Sequence, residues 1–171
     1  DELRIIKRSA DIESLAESVP DSGGVTIVPA FTGLGAPDWD PHARGAILGL
    51  SRGTTAGHIA RASLEAIALS SAELVAVMND DLPSPVATLR VDGGAAGNDL
   101  LMQLQADFSG LEVERPVNTE TTALGAAYAA GLAVGYWAEI EDLRENWARD
   151  AEWAPKLDPE TREKEYAQWK K

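Results

Sequence analysis

The sequence predicts an α/β fold, a mixed or parallel sheet flanked by helices, on three observations. Short β-branched apolar runs at residues 25–31, 46–50 and 86–91 are each bounded by turn-forming residues. A long segment from Thr55 to about Asp80 carries apolar residues at three- and four-residue steps. Strand-like and helix-like segments alternate through the middle of the chain, the pattern of α/β proteins.

Taken in order, residues 9–19 ("SADIESLAESV") have helical spacing behind a cap-like Ser9, and "PDSGG" ends them. "VTIVPAF" (25–31) reads as a buried strand, and "TGLGAPDWDPHARG" as a long loop rich in turn formers. "AILGL" (46–50) is the next short strand. The long helix places Leu64, Ile67, Ala68, Ser71, Leu74, Val75 and Met78 on one apolar stripe. "DLPSP" closes it before the strand "VATLRV" (86–91). After "DGGAAGND" a helix sets Leu101, Leu104 and Phe108 on one face, and "LEVERP" is a short strand. Residues 121–138, "TTALGAAYAAGLAVGYWA", carry no charge. Ala, Gly and Thr dominate them and the apolar stretch is short for a bilayer, so a buried helix of a soluble fold is expected rather than a membrane span. From Glu139 onward the chain is polar, acidic and rich in Trp, and surface helices are expected.

Composition sets bounds on function. The 171 residues suit one domain or one lobe of something larger, with 44% hydrophobic and 25% charged residues. There is no cysteine, which fits a reducing, cytoplasmic setting and excludes thiolate metal sites. A formal net charge of −13 argues against a nucleic-acid partner, because phosphate backbones need clustered Lys and Arg. The opening "DELRIIKRSADIE" is too charged for a signal peptide. His42 and His58 have no second ligand at metal spacing, Asp38 and Asp40 read as turn chemistry, and Glu112, Glu114, Glu139, Glu141 and Asp142 read as solvated surface.

The stretch "RVDGGAAGND" (90–99) carries the functional question. It has no Lys-Ser/Thr of a phosphate-binding loop and no G-x-G-x-x-G of a dinucleotide fold. What remains is a strand ending at Asp92, a turn without large side chains at Gly93, Gly94 and Ala95, and Asn98 opening a helix. Such a turn lets a flat ring or a sugar approach the backbone, and Asn98 can cap its helix while offering an amide outward. Alone, a tight turn with an N-cap accounts for this stretch better than a binding site does.

Three motifs in order extend the reading: "VPAFTGLGAPDWDPHARGAILGLSRGTTAGHIARASLEAIA", "LRVDGGAAGNDLLMQLQADFSG" and "VERPVNTETTALGAAYAAGLAVGYW". Within the first, Gly45 to Leu50, seven residues, His58-Ile59 and Ala62 to Glu65 follow a signature spacing. Together they resemble the FGGY carbohydrate kinases, most closely the glycerol kinases, over the family's carboxy-terminal part. The resemblance implies part of the second lobe of an actin-like (ribonuclease H-like) ATPase fold. It divides the chain into the carboxy-terminal lobe, 1–137, incomplete at its amino-terminal side, and C-terminal surface helices of the same lobe, 138–171. It implies ATP as phosphoryl donor, with Gly93, Gly94, Ala95 and Asn98 holding adenosine, Mg²⁺ held mainly through phosphates and the other lobe, and glycerol as acceptor.

The family's "D-x-G-T-T" phosphate loop and its catalytic Asp do not occur in these residues, so no catalytic residue is assigned here. The chain is expected to be inactive alone, with the missing amino-terminal lobe as its partner and a homo-oligomer as its state. Other readings that stay open are a different FGGY sugar or polyol kinase, and a non-catalytic nucleotide-binding or self-association module. Asp38, Asp99 and "ALSSAEL" (68–74) depart from the glycerol kinase pattern, which has Tyr, Asn and "AYQTRDV"-like residues there.

Overall fold

The computed structural model describes residues 5–171, so the first four residues of the charged opening stretch lie outside the described residues. The helices are α1 (Asp11–Ala16), α2 (Ala56–Asp81), α3 (Asp99–Ser109), α4 (Thr121–Ala133) and α5 (Pro159–Trp169). The strands are β1 (Thr26–Val28), β2 (Ala46–Leu48), β3 (Thr88–Arg90), β4 (Glu112–Pro116) and β5 (Arg149–Trp153). Two 3-10 segments, Gly94–Gly97 and Ile140–Asn146, precede α3 and β5.

The sheet is mixed, as the alternation of elements predicts. β3 and β4 run parallel with Leu89 opposite Val113, and β5 adds antiparallel with Trp153 opposite Val113. Parallel strands need a crossover, and α3 supplies it. β1 and β2 form a separate antiparallel pair, with Ile27 opposite Ile47.

α2 is the centre of the core, and it works differently from the single stripe that its spacing suggests. Ala60, Leu64 and Ala68 pack with Leu101, Leu104 and Phe108 of α3 and Val113 of β4. Ala62 and Ala66 pack on Val25 and Ile27 around β1. Small alanines let two layers close on α2 from different sides. The larger Ile67, Leu74 and Met78 of the expected stripe fall on a further face and stay exposed, at 44%, 43% and 49%. By length and composition α2, rather than residues 121–138, could cross a membrane. It instead carries an Arg61–Glu65 ion pair (2.7 Å) and a buried Glu73 within the fold. α3 buries the face expected of it, with Leu101 and Leu104 at 3% exposure and Phe108 at 8%.

Two expectations are corrected. α4 buries no residue, although its composition suggested a buried helix. Its only aromatic cover is local, where Trp137 packs edge-on against Tyr128 (5.3 Å), so its apolar surface is left uncovered among the described residues. The segment after Glu139 is not all helical. Ala151 and Trp153 turn inward between outward charges, and backbone pairing with β4 makes 149–153 a strand. α5 does follow, capped by Asp158 (3.0 Å to the Thr161 amide) with Pro159 in its first turn.

α5 is bound to the core more firmly than a surface helix. Tyr166 and Trp169 pack against the main core, and the Trp169 indole donates to the Ile27 carbonyl (3.0 Å). Glu73 is 8% exposed; it accepts from the Tyr166 hydroxyl (2.9 Å) and pairs with Lys170 (2.6 Å). Lys170 also reaches Asp38 (3.4 Å). The hydrogen bond to Glu73 raises the Lys170 pKa above its ordinary value, while burial, then Glu73, raises that of Tyr166.

Candidate functional site

The chain leaves β3 and turns at Asp92 and Gly93. Gly93 has φ +74°, a left-handed conformation that side chains disfavour, and its amide donates to the Thr119 carbonyl (2.8 Å). The Asp92 carboxylate accepts a hydrogen bond from the Thr121 hydroxyl at the start of α4. These two contacts fix the strand end against α4.

From there the 3-10 turn closes with Ala96 N to Gly93 O (3.1 Å) and Asn98 N to Ala95 O (3.1 Å). Ala96 is its buried anchor, at 1% exposure, and Gly94, Ala95 and Gly97 face outward. A Cβ built on Gly94 would meet nothing within 4 Å. The backbone here is open to whatever approaches it.

Asn98 is the N-cap of α3, as its position in the sequence suggests. Its Oδ1 accepts from the Leu101 amide (2.7 Å), and Glu13 of α1 accepts from the Leu100 amide (2.9 Å). Two of the first free amides of α3, those of Leu100 and Leu101, are therefore committed to protein acceptors, which weakens the usual anion-binding capacity of a helix N-terminus. The Asn98 Nδ2 group has no protein partner among the described residues.

Gly94, Ala95 and Asn98 line an open cleft of about 780 Å³ between α1, α2 and α3, within the range of small-molecule sites. Gly93 is not in its lining; it shapes the turn from behind. Ile6, Ile12, Ile67 and Leu101 supply apolar walls, and among the described residues Glu13 is the sole charged group in the lining and no Lys or Arg faces the space. A neutral flat ring or sugar suits such walls, and a phosphate does not. Two other open clefts, of about 600 and 680 Å³, lie beside α4 and beside the loop at 33–38. The second is also lined by glycines, at Gly24, Gly33, Gly35 and Gly49, but Asp38, Glu73, Lys170 and Lys171 make it a charged cleft.

Sequence reasoning missed Glu13 and Ile67, because neither adjoins the motif in the chain and only packing brings them there. It also missed Arg115, which donates to the Ala96 carbonyl and to Asp99, both at 2.8 Å. His58 has the structural role expected: its Nδ1 accepts from the Thr55 amide (3.0 Å), capping α2. His42 lies in an exposed turn held by Asp40, whose carboxylate accepts from the His42 and Ala43 amides (2.8 and 3.1 Å). Asp38 pairs with Lys170 rather than serving its turn. Glu114, expected to be solvated, is half-buried and bridges Arg90 (3.3 Å) and Arg149 (3.2 Å). Among the described residues no group of three or more His, Cys, Asp or Glu side chains could hold a metal ion.

Comparison with known proteins places this geometry. The glycerol kinase of Aromatoleum aromaticum is 58% identical over all 171 residues. The crystal structure of Plasmodium falciparum glycerol kinase with ADP superposes at a TM-score of 0.88 with 33% identity, covering 99% of this chain and 34% of that one. Gluconate kinase from Lactobacillus acidophilus shares the fold, at a TM-score of 0.77 and 22% identity over 97% of this chain and 35% of its own. The chain spans about a third of the length of the curated relatives it matches, 34% of the Aromatoleum protein. The architecture is thus α/β, from the second lobe of an actin-like ATPase fold. Residues 2–134 match the C-terminal domain of the FGGY family of carbohydrate kinases, and the chain belongs to that family.

Proposed function

We propose that the chain is the carboxy-terminal, adenosine-holding lobe of a glycerol kinase, which transfers the γ-phosphoryl group of ATP to glycerol and forms glycerol 3-phosphate. One observation carries the reading: a glycine-floored cleft without cationic lining among the described residues, beside an asparagine amide that none of them uses. The names and identities of the relatives, 58% for the Aromatoleum glycerol kinase, support the choice of glycerol among polyols.

In this reading Gly94 and Ala95 lie along the nucleoside, Gly93 sets the turn, and the Asn98 amide hydrogen-bonds the base or the sugar. Bound ATP supplies the phosphoryl group. This chain's residues orient its adenosine end through Asn98 and the apolar walls, which exclude water from that end. The carboxylates here do not fit a resident Mg²⁺: Asp92 is engaged by Thr121 and Glu13 by Leu100. Mg²⁺ in this account rides on the phosphates, beyond the cleft.

Phosphoryl transfer relies on positioning and electrostatics from all sides of the nucleotide, so the amino-terminal lobe of the same kinase is the partner required for activity. Residues 1–137 and 138–171 belong in this reading to the same lobe, the second part joined to it through β5 and α5. The setting is the cytoplasm, and the uncovered face of α4 favours self-association. The pure 171-residue chain is expected to make no glycerol 3-phosphate from glycerol and ATP. Joined to the amino-terminal two-thirds of the Aromatoleum enzyme, it is expected to do so. Saturable product from the chain alone, or a folded but inactive chimera, would contradict the reading.

A further inference from the structure

Arg115, on β4, has a side chain only 16% exposed, and its guanidinium meets three acceptor groups. Nη1 donates to the Ala96 carbonyl and to Asp99 Oδ1, both at 2.8 Å. Nε donates to Asp150 of β5 (2.9 Å), Nη2 lies 2.8 Å from the same carboxylate, and the group sits 5.0 Å over the Trp153 ring. The hydrogen bond that it donates to Asp99 leads in raising its pKa above the ordinary arginine value.

The turn that it grips has little to hold it otherwise. Gly93, Gly94 and Gly97 bring no side chains, and the turn's internal bonds are the two 3.1 Å contacts at its ends. A glycine-rich segment has many alternative conformations to lose on ordering. Ala96, its one buried residue, has its carbonyl bound by Arg115, and Asp99 on the same guanidinium lies next to the Asn98 cap. The bond to Ala96 is part-buried, whereas Asp99 and Asp150 are 65% and 47% exposed and are screened by solvent. The grip on the backbone carbonyl is therefore the contact that shapes the turn.

We infer that Arg115 is a positioning residue for the nucleotide: it holds the Gly94–Gly97 turn so that Asn98 and the glycine backbone face the cleft, and it ties that turn to β5. The inference rests on the adenosine reading above. Arginine suits the task because its rigid fork of donors meets three acceptor groups at once, whereas a lysine ammonium is a single point charge.

The test uses the 171-residue chain with Arg115→Met and Arg115→Lys, read by amide hydrogen exchange without nucleotide and by ADP titration in NMR. Arg115→Met is expected to speed exchange at residues 95–99 about tenfold more than in α2 and to weaken ADP about tenfold, roughly 1.4 kcal/mol. Arg115→Lys, keeping charge and one donor, is expected to recover part of both. Unchanged ADP affinity in Arg115→Met overturns the inference. So does exchange that rises equally in the turn and in α2, the mark of a residue serving stability alone. A wild-type chain with a protected turn and no ADP response overturns the adenosine reading, and with it the nucleotide role of Arg115. Wild-type ADP binding with an indifferent Arg115→Met overturns the Arg115 role only.

Discussion

The proposed function gives Asn98 two roles, which a pair of substitutions separates. Its Oδ1 caps the Leu101 amide at 2.7 Å, and its Nδ2 is the donor that the proposed function offers to the nucleoside. Asn98→Ala removes both. The orphaned amide belongs to a residue only 3% exposed, so water replaces the lost acceptor poorly. N-cap losses cost about 0.5–2 kcal/mol, and burial places this one in the upper half, about 1.5 kcal/mol. For a chain of this length that is a melting-temperature drop of roughly 3–6 °C. Glu13 still caps Leu100, so α3 frays without unravelling. Asn98→Asp keeps the acceptor. Its added charge gains about 0.3–1 kcal/mol from the helix dipole, offset by repulsion from Glu13 and Asp99. Its stability should stay within about 0.5 kcal/mol of wild type, while the lost donor weakens ADP by roughly 1 kcal/mol, about fivefold. Urea unfolding and ADP titration of both variants measure the two effects. Wild-type ADP affinity in Asn98→Asp, or undiminished stability in Asn98→Ala, would refute the double role.

The remaining predictions concern the α5 anchor and the uncovered face. Lys170 and Tyr166 both have folded pKa values raised above their ordinary ones, so their contribution is complete below those ordinary values and is lost as pH rises through the folded ones. Lys170→Met should therefore be less stable than wild type at pH 7–9, and the gap in urea midpoint should close above about pH 10.5; a gap unchanged to higher pH contradicts the Glu73–Lys170 anchor. With α4 uncovered and Ile67, Leu74 and Met78 exposed, the isolated chain should dimerise or associate further. Light scattering that shows a clean monomer at high concentration contradicts this.

What the sequence discloses and what it hides follow from distance along the chain. The strand, turn and helix around residues 86–109 are legible because period, glycine punctuation and an Asn cap all act within a few residues. The two-sided packing of α2 is not, since alanine is read as neither core nor surface until its neighbours are known. The burial of α4 is misjudged for a related reason: apolar composition says that a helix can be covered, not that a cover is present. β5 is obscured because two inward residues among charges give a short, weak alternation. The glycines and Asn98 are visible as a possible nucleoside seat. Their supports are not: Glu13 meets Leu100 across 87 residues and Arg115 meets Ala96 across 19, separations that no local pattern records.

The central claim, that the turn at 94–98 holds adenosine and leaves the phosphates elsewhere, is tested most directly by NMR titration with adenosine, AMP and ADP. The wild-type chain should bind all three with similar weak affinity, roughly millimolar, about −4 kcal/mol, with shifts centred on residues 92–98. Gly94→Val projects a branched carbon into open space, where a Cβ meets nothing within 4 Å, so it should fold normally and lose those shifts. A folded Gly94→Val with wild-type shifts would contradict the account, as would affinity that climbs steeply from adenosine to ADP.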